Sequence, residues 1–194
     1  MVQINDRVLT AATQRGQNLL NEEVVALIER YHPHEQPGIS REALEAYATA
    51  LANEPQYRFD VGEFLDAVDE QVTDVETWAG DGMLYPVKDH LSAYPARWHA
   101  ELGGLTDVRE YLRFLREGDP GFTRDVTGAG QGIPEGTLLD IVATVGKTDR
   151  EEAKNALAEL RKSGEIVEGS DQHPDAGVQS AENAEDPGDE SVKS

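Results

Sequence analysis

Apolar residues recur at helical spacing along most of the chain, and the clearest run lies near its C-terminal end. Leu138, Leu139, Ile141, Val142 and Val145 form one stripe after Pro134, a residue suited to a first helical position, and Gly146 stops it. Thr148 and Glu151 form a capping box for a second helix whose inner face is Ala153, Ala156, Leu157 and Leu160. Gly164 closes that helix, and Glu165-Ile166-Val167-Glu168 predicts a short strand bounded by Gly169. Helix, tight turn, helix and strand make the back half of a winged helix.

The N-terminal part shows the same grammar. Ile4, Val8, Leu9 and Ala12 predict a short helix within residues 3 to 15. Asn21 suits an N-cap, followed by Val24, Leu27, Ile28 and Tyr31 on one side, until His32-Pro33. Ser40 caps a helix carrying Leu44, Tyr47, Ala48 and Leu51 and ending before Pro55, and Asp60 with Glu63 starts another carrying Val61, Phe64, Leu65 and Val68. Val75 and Thr77, then Met83, Leu84, Tyr85 and Val87, predict two strands around Gly80-Asp81-Gly82. Residues 89–104 give no assignable pattern. Leu105 and Thr106 introduce a helix to Glu117, stopped by Gly118 and Pro120. The fold class expected is mainly α with small β-hairpins: tandem winged-helix-like modules at 1–118 and 133–169, a flexible Gly-rich linker at 119–132, and a disordered acidic tail at 170–194. A chain ending at Ser170 is expected to keep its melting temperature.

Charge changes the functional picture. The formal net charge is −21, with 38 acids against 17 bases and no cysteine. Such acidity ordinarily repels a polyanion. Acid excess with little lysine also typifies halophilic cytoplasmic proteins, and at molar salt the Debye length falls to roughly 3 Å, so binding there rests on close contacts. Disulfides and thiolate metal sites are excluded. Met1 to Gln17 has no continuous apolar core of a signal peptide or anchor, and no window approaches the ~20 apolar residues of a membrane span. A cytoplasmic location and no membrane partner are expected.

The basic residues supply the candidate site. Arg109, Arg113 and Arg116 fall at i, i+4 and i+7, opposite Val108, Tyr111, Leu112 and Leu115. Their bland reading is a solvated face paired with Glu110 and Glu117. Arg150, Lys154 and Arg161 share one side of the second C-terminal helix, with Lys147 in the turn before it, the positions from which a recognition helix touches phosphates and bases; Glu151 and Glu152 dilute the patch. Arg97 and Trp98 lie in an aromatic, basic stretch, and Trp98 is the better base-stacking candidate of the two tryptophans, although tryptophans more often pack cores.

Asp149-Arg150-Glu151-Glu152, Leu157, Leu160-Arg161 and Gly164-Glu165-Ile166-Val167-Glu168 resemble the winged helix that ends the archaeal replicative helicase, the minichromosome maintenance protein. The resemblance implies the fold of the C-terminal module and a place in DNA transactions; residues 1–132 carry none, and no phosphate-binding Gly-x-x-x-x-Gly-Lys-Ser/Thr occurs. No cofactor or metal is expected. His32 and His34 alternate across Pro33, His90, His99 and His173 are scattered, and neither His-Glu-x-x-His nor Gly-x-Ser-x-Gly is present. The leading expectation is therefore a non-enzymatic, DNA-associated binding protein. The alternative is an adaptor whose modules dock on a protein partner within a larger complex; the oligomeric state is open.

Overall fold

Short polar side chains start the helices where the sequence places them. In a computed structural model that describes residues 1–33, 35–127, 132–168 and 177–181, Asn5 accepts from the Arg7 N–H at the head of α1 (Asp6–Arg15). Ser40 accepts from Ala43 before α3 (Arg41–Ala52), and Asp60 from Glu63 before α4 (Val61–Gln71). Each such cap contributes about 1 kcal/mol. Helix α2 (Asn21–Tyr31) begins one residue earlier than its apparent cap: the Leu20 N–H donates to the Glu23 carboxylate at 2.9 Å, and Asn21 is already helical. These helices belong to the first of two compact units, Met1–Gly103; the second is Gly104–Ser194.

The first unit continues with β1 (Tyr85–Val87), β2 (His90–Ser92) and α5 (Ala96–Leu102). The hairpin is not where the glycines suggest. Strands β1 and β2 pair antiparallel, Tyr85 with Ser92 and Val87 with His90, around Lys88 and Asp89, and Lys88 takes the left-handed φ of 58° that the turn demands. Gly80 and Gly82 turn the chain without pairing it to the 75–77 segment, while Leu84 makes a parallel bridge to Val72. A Lys-Asp turn carries far less sequence signal than Gly-Asp-Gly, which is why β2 falls in the unassigned 89–104 stretch. Ile39 also joins the sheet, exchanging two backbone hydrogen bonds of 2.7 and 2.9 Å with Leu91. The order across the sheet is thus Ile39, β2, β1. Val25, Ile28, Leu44, Tyr47, Leu51 and Val68 are buried in the core beneath it.

The second unit runs α6 (Val108–Glu117), α7 (Pro120–Thr127), β3 (Ile133–Pro134), α8 (Glu135–Val145), α9 (Arg150–Lys162), β4 (Ile166–Glu168) and β5 (Gly177–Ser180). Asp107 caps α6, and Asp149, rather than Thr148, caps α9 by accepting from the Glu151 N–H at 2.9 Å. Thr148 instead donates to the Glu152 carboxylate. Pro134 precedes α8 rather than opening it. Three domain expectations need correction. The helix to Glu117 belongs here, since Val108, Tyr111, Leu112 and Leu115 are buried within Gly104–Ser194. The expected linker at 119–132 contains α7, fixed by buried Phe122 and by Thr123 donating to the Leu115 carbonyl at 2.8 Å. The expected disordered tail from 170 contains β5, which pairs antiparallel with both β3 and β4 and buries Val178. A single valine among polar residues gives no compositional sign of a strand, because its hold comes from main-chain pairing on both edges. The remainder of the linker, 128–131, and of the tail, 169–176 and 182–194, lies outside the described residues, as do His34 and His173.

The two units repeat one plan. In each, a Gly-Ile pair precedes the second-last long helix, and the isoleucine pairs with the last strand of the unit's sheet: Ile39 with Leu91, Ile133 with Val178. That last strand lies in the middle, between the isoleucine and the strand before it. Both glycines take positive φ, 79° at Gly38 and 87° at Gly132, and a Cβ there would stand 2.8 Å from the Leu91 carbonyl oxygen and 2.6 Å from that of Val178. Only glycine admits the central strand so closely. A chain ending at Ser170 removes the middle strand. It is expected to lose at least the ~1.5–3 kcal/mol of Val178 burial, a fall of roughly 4–8 °C per kcal/mol in the calorimetric transition of the second unit; an unchanged transition would mean that β5 contributes nothing.

Candidate functional site

The arginines placed for phosphate contact on α9 are turned toward α8. Arg150 Nε donates to Asp140 Oδ1 at 2.8 Å, and Arg161 Nη2 to Glu135 Oε2 at 2.6 Å, with the side chains of both pairs only 24–35% exposed. One pair lies at each end of α9, so together they pin it against α8. The first unit has a counterpart of the second pair with its charges exchanged: Arg41, two residues after Ile39, donates to Asp69 on α4 at 2.5 and 3.2 Å, just as Glu135, two residues after Ile133, receives Arg161. Releasing either arginine to a phosphate exchanges one charge-assisted bond for another and strands a carboxylate. Of the four α8–α9 cations proposed from sequence, Lys147, at φ 53° in the turn, and Lys154 remain exposed.

Helix α6 presents its arginines to solvent, as the periodicity requires. Arg109 donates to Asp107 at 2.8 Å and to Glu165, at the entry to β4, at 2.6 Å. Hydrogen bonding to Asp107, then to Glu165, raises the Arg109 pKa, and the Arg109 guanidinium holds the carboxyls of Asp107 and Glu165 below their usual range. Arg113 pairs with Glu110 one turn back, and Arg116 is exposed. The stripe is thus largely a face of local ion pairs, each screened by water.

Arg97 and Trp98 part company on α5. Arg97 is exposed, but Trp98 is fully buried, with Leu102 one turn on at the same inner face. Trp98 stacks against Trp78 (centroids 5.7 Å, 16°) and Tyr94 (5.8 Å, 17°), so it is a core residue and no platform for a base. In the first unit the helix that corresponds to α9 is α4, and it offers Glu63, Asp66, Asp69 and Glu70 with no lysine or arginine.

The sequence reading missed a buried cluster of polar side chains in the first unit. Glu29 on α2, Ser92 at the end of β2 and His99 on α5 meet in the interior of the first unit. Ser92 Oγ lies 2.8 and 2.9 Å from the two Glu29 carboxylate oxygens and 2.8 Å from His99 Nε2, and Nε2 is 3.4 Å from Glu29 Oε1. The Ala93 N–H donates to the same carboxylate at 3.2 Å. Burial pushes the Glu29 carboxyl up to about 7, against the opposing pull of Ser92, the Ala93 and Gly38 N–H groups and Arg30. The signal was there: Glu29 stands one turn after Val25 and next to Ile28, on the apolar side of its helix.

A serine, a histidine and an acid invite comparison with acyl-transfer machinery. In that machinery the imidazole separates the hydroxyl from the acid and the hydroxyl faces the substrate. Here the hydroxyl touches acid and imidazole alike, and the cluster is sealed, with side-chain exposure of 3% for His99 and 0% for Glu29. The cluster joins α2, β2 and α5. Among the described residues no group of histidines and acids is spaced to hold a metal ion, and no helix is long and apolar enough to cross a membrane. Comparison of the chain with family models, with characterised proteins and with solved structures gives no match.

Two substitutions test these assignments. Ser92→Ala strips a buried carboxyl and imidazole of their shared partner, and urea titration followed by tryptophan fluorescence is expected to give a loss of about 1–3 kcal/mol; an unchanged midpoint would remove the cluster from the account of stability. Arg161→Glu is expected to weaken the second unit by about 1–3 kcal/mol, and Glu135→Arg in the same chain to recover much of it. A double variant no better than Arg161→Glu alone would mean that the pair does not couple α8 to α9.

Proposed function

We propose that the chain is a non-enzymatic interaction module, built from two winged-helix-like units in tandem, that docks on a protein partner within a larger complex. The repeated order of helix, short strand, two helices and a returning hairpin, with the last strand in the middle of the sheet, supports the winged-helix reading of both units. The likeness of residues 149–168 to the winged helix of the archaeal replicative helicase supports it for the second.

The observation that carries the choice of partner is the chemistry of the two groove-reading positions. Helix α4 is acidic throughout its polar face, and on α9 both arginines are held by α8. Neither helix offers phosphates the dense cationic surface that supplies most of the affinity for nucleic acid. An acidic, well-structured surface instead complements a partner face rich in lysine and arginine, where charge sets orientation and encounter rate. The nucleic-acid reading retains the exposed cations Lys147, Lys154 and Arg116 as its contacts.

Labelled duplex DNA and nuclease-treated native lysate, each presented to the immobilised full chain from low to molar salt, separate the readings. The expected outcome is a stoichiometric protein partner that survives nuclease and is released by reversing charge on α4 (Glu63→Lys with Glu70→Lys). Duplex retention that disappears in Lys147→Ala with Lys154→Ala would overturn the adaptor in favour of nucleic-acid binding.

A further inference from the structure

The two units differ between the helix that precedes the hairpin and the hairpin's first strand. In the second unit residues 163–165 carry the chain from α9 to β4, whereas in the first the passage from α4 to β1 takes residues 72–84. Val72 and Leu84 stand side by side at the two ends of that passage. The Leu84 N–H donates to the Gln71 carbonyl at 2.9 Å, and the Thr73 N–H to the Leu84 carbonyl at 2.8 Å. Residues 73–83 thus form an Ω-loop, closed at its base by backbone hydrogen bonds that a swing of the loop leaves intact.

Every residue of the loop is exposed or half-buried, with Asp74, Val75, Glu76, Thr77, Ala79 and Asp81 exposed. Gly80 and Gly82 take left-handed φ of 117° and 80°, and a Cβ at Gly80 would meet nothing within 4 Å, so the chain is unpacked where it turns back. Trp78 is the residue that reaches inward. Its indole lies against the fully buried rings of Trp98 (centroids 5.7 Å, 16°) and Tyr85 (6.3 Å, 29°), and the Ala79 N–H donates to the Tyr85 hydroxyl at 2.8 Å. Trp98 belongs to α5 and Tyr85 to β1, so the wall that receives the indole is built from elements outside the loop.

We propose that residues 73–83 are a flap, hinged at the Val72–Leu84 bridge and caught by Trp78, which opens while the rest of the first unit stays folded and uncovers the aromatic wall of Tyr85 and Trp98. Local opening belongs to segments with few buried contacts and exposed backbone, and this loop has both properties. In the closed state the wall is occupied by the chain's own indole and is withheld from any partner. A flap held in this way obeys a thermodynamic bound. When the catch is deleted the unit falls back to its open form, so it loses no more stability than the closed flap held over the open one. The protection of the Ala79 amide against hydrogen exchange in the wild type measures that difference.

Native-state hydrogen exchange of the full chain, followed by NMR in low urea, tests the flap against the Leu91 amide of β2, which is bonded to the Ile39 carbonyl. In the wild type the Ala79 amide is expected to exchange about tenfold or more faster than Leu91 and with little dependence on urea. In Trp78→Ala its protection should vanish, while Leu91 speeds up by no more than the wild-type protection factor of Ala79. Trp78→Ala and Trp78→Phe each leave Trp98 as the only tryptophan, so acrylamide quenching of fluorescence reads the wall directly. Quenching should be several-fold stronger in the alanine variant than in the phenylalanine variant, whose ring keeps the catch. Ala79 and Leu91 exchanging together in the wild type would overturn the flap, because the loop would then open only with the whole unit. Acceleration of Leu91 beyond the bound, outright unfolding of Trp78→Ala included, would make Trp78 an ordinary core residue, and equal quenching in the two variants would mean that the wall stays covered.

Discussion

A carboxyl group withdrawn from water has to find donors, and the ones that Glu29 finds are spread over more than sixty positions of chain, from Gly38 through Ser92 and Ala93 to the imidazole of His99 beyond. Removing one of them costs about 1–3 kcal/mol for each buried polar group left bare. In the observed register β2 brings Ser92 and Ala93 to the carboxyl. Hydrophobic burial supplies the bulk of the stabilisation in this unit, and the buried carboxyl ties α2 to the last strand.

What the sequence made legible is what local physics decides. Ser40 and Asp60 cap helices because a short side-chain oxygen can reach an amide three residues on, and Val108, Tyr111, Leu112 and Leu115 face inward because the helical period leaves no other arrangement. The arginines of α6 face outward for the same reason. What escaped depends on partners distant in sequence. Strand β5 has one buried apolar side chain and is recognisable only when Ile133 and Glu168 are seen on either side of Val178. Trp98 looked available because its neighbours are Arg97 and His99, but Trp78, twenty residues away, covers it. Arg161 looked like a phosphate ligand until Glu135 appeared beside it. The candidate site was thus legible as a set of charges and illegible as a set of pairings.

The two units show how one plan tolerates different chemistry. Gly38-Ile39 and Gly132-Ile133 both sit where a central strand approaches too closely for a side chain on the glycine. The brace between α3 and α4 has its charges exchanged in the one between α8 and α9, Arg41 with Asp69 against Glu135 with Arg161. An ion pair has no preferred direction so long as both ends are exchanged together. Its net result here is an acidic outer helix in one unit and a mixed one in the other.

Because the middle strand of each sheet is also its last in chain order, neither sheet can assemble from the N-terminus outward. Ile39 and β1 emerge from the ribosome with no neighbour to pair with until β2 has been made, and Ile133 and β4 wait in the same way for β5. Helices α2 to α4 and α6 to α9 can form early from contacts close in sequence, but closure of each unit depends on a late, non-local pairing, the kind that sets folding rate. During synthesis the first unit gains its closing strand some ninety residues before the second does, which favours folding one unit at a time and shortens the interval in which two similar, unpaired strand edges coexist on one nascent chain.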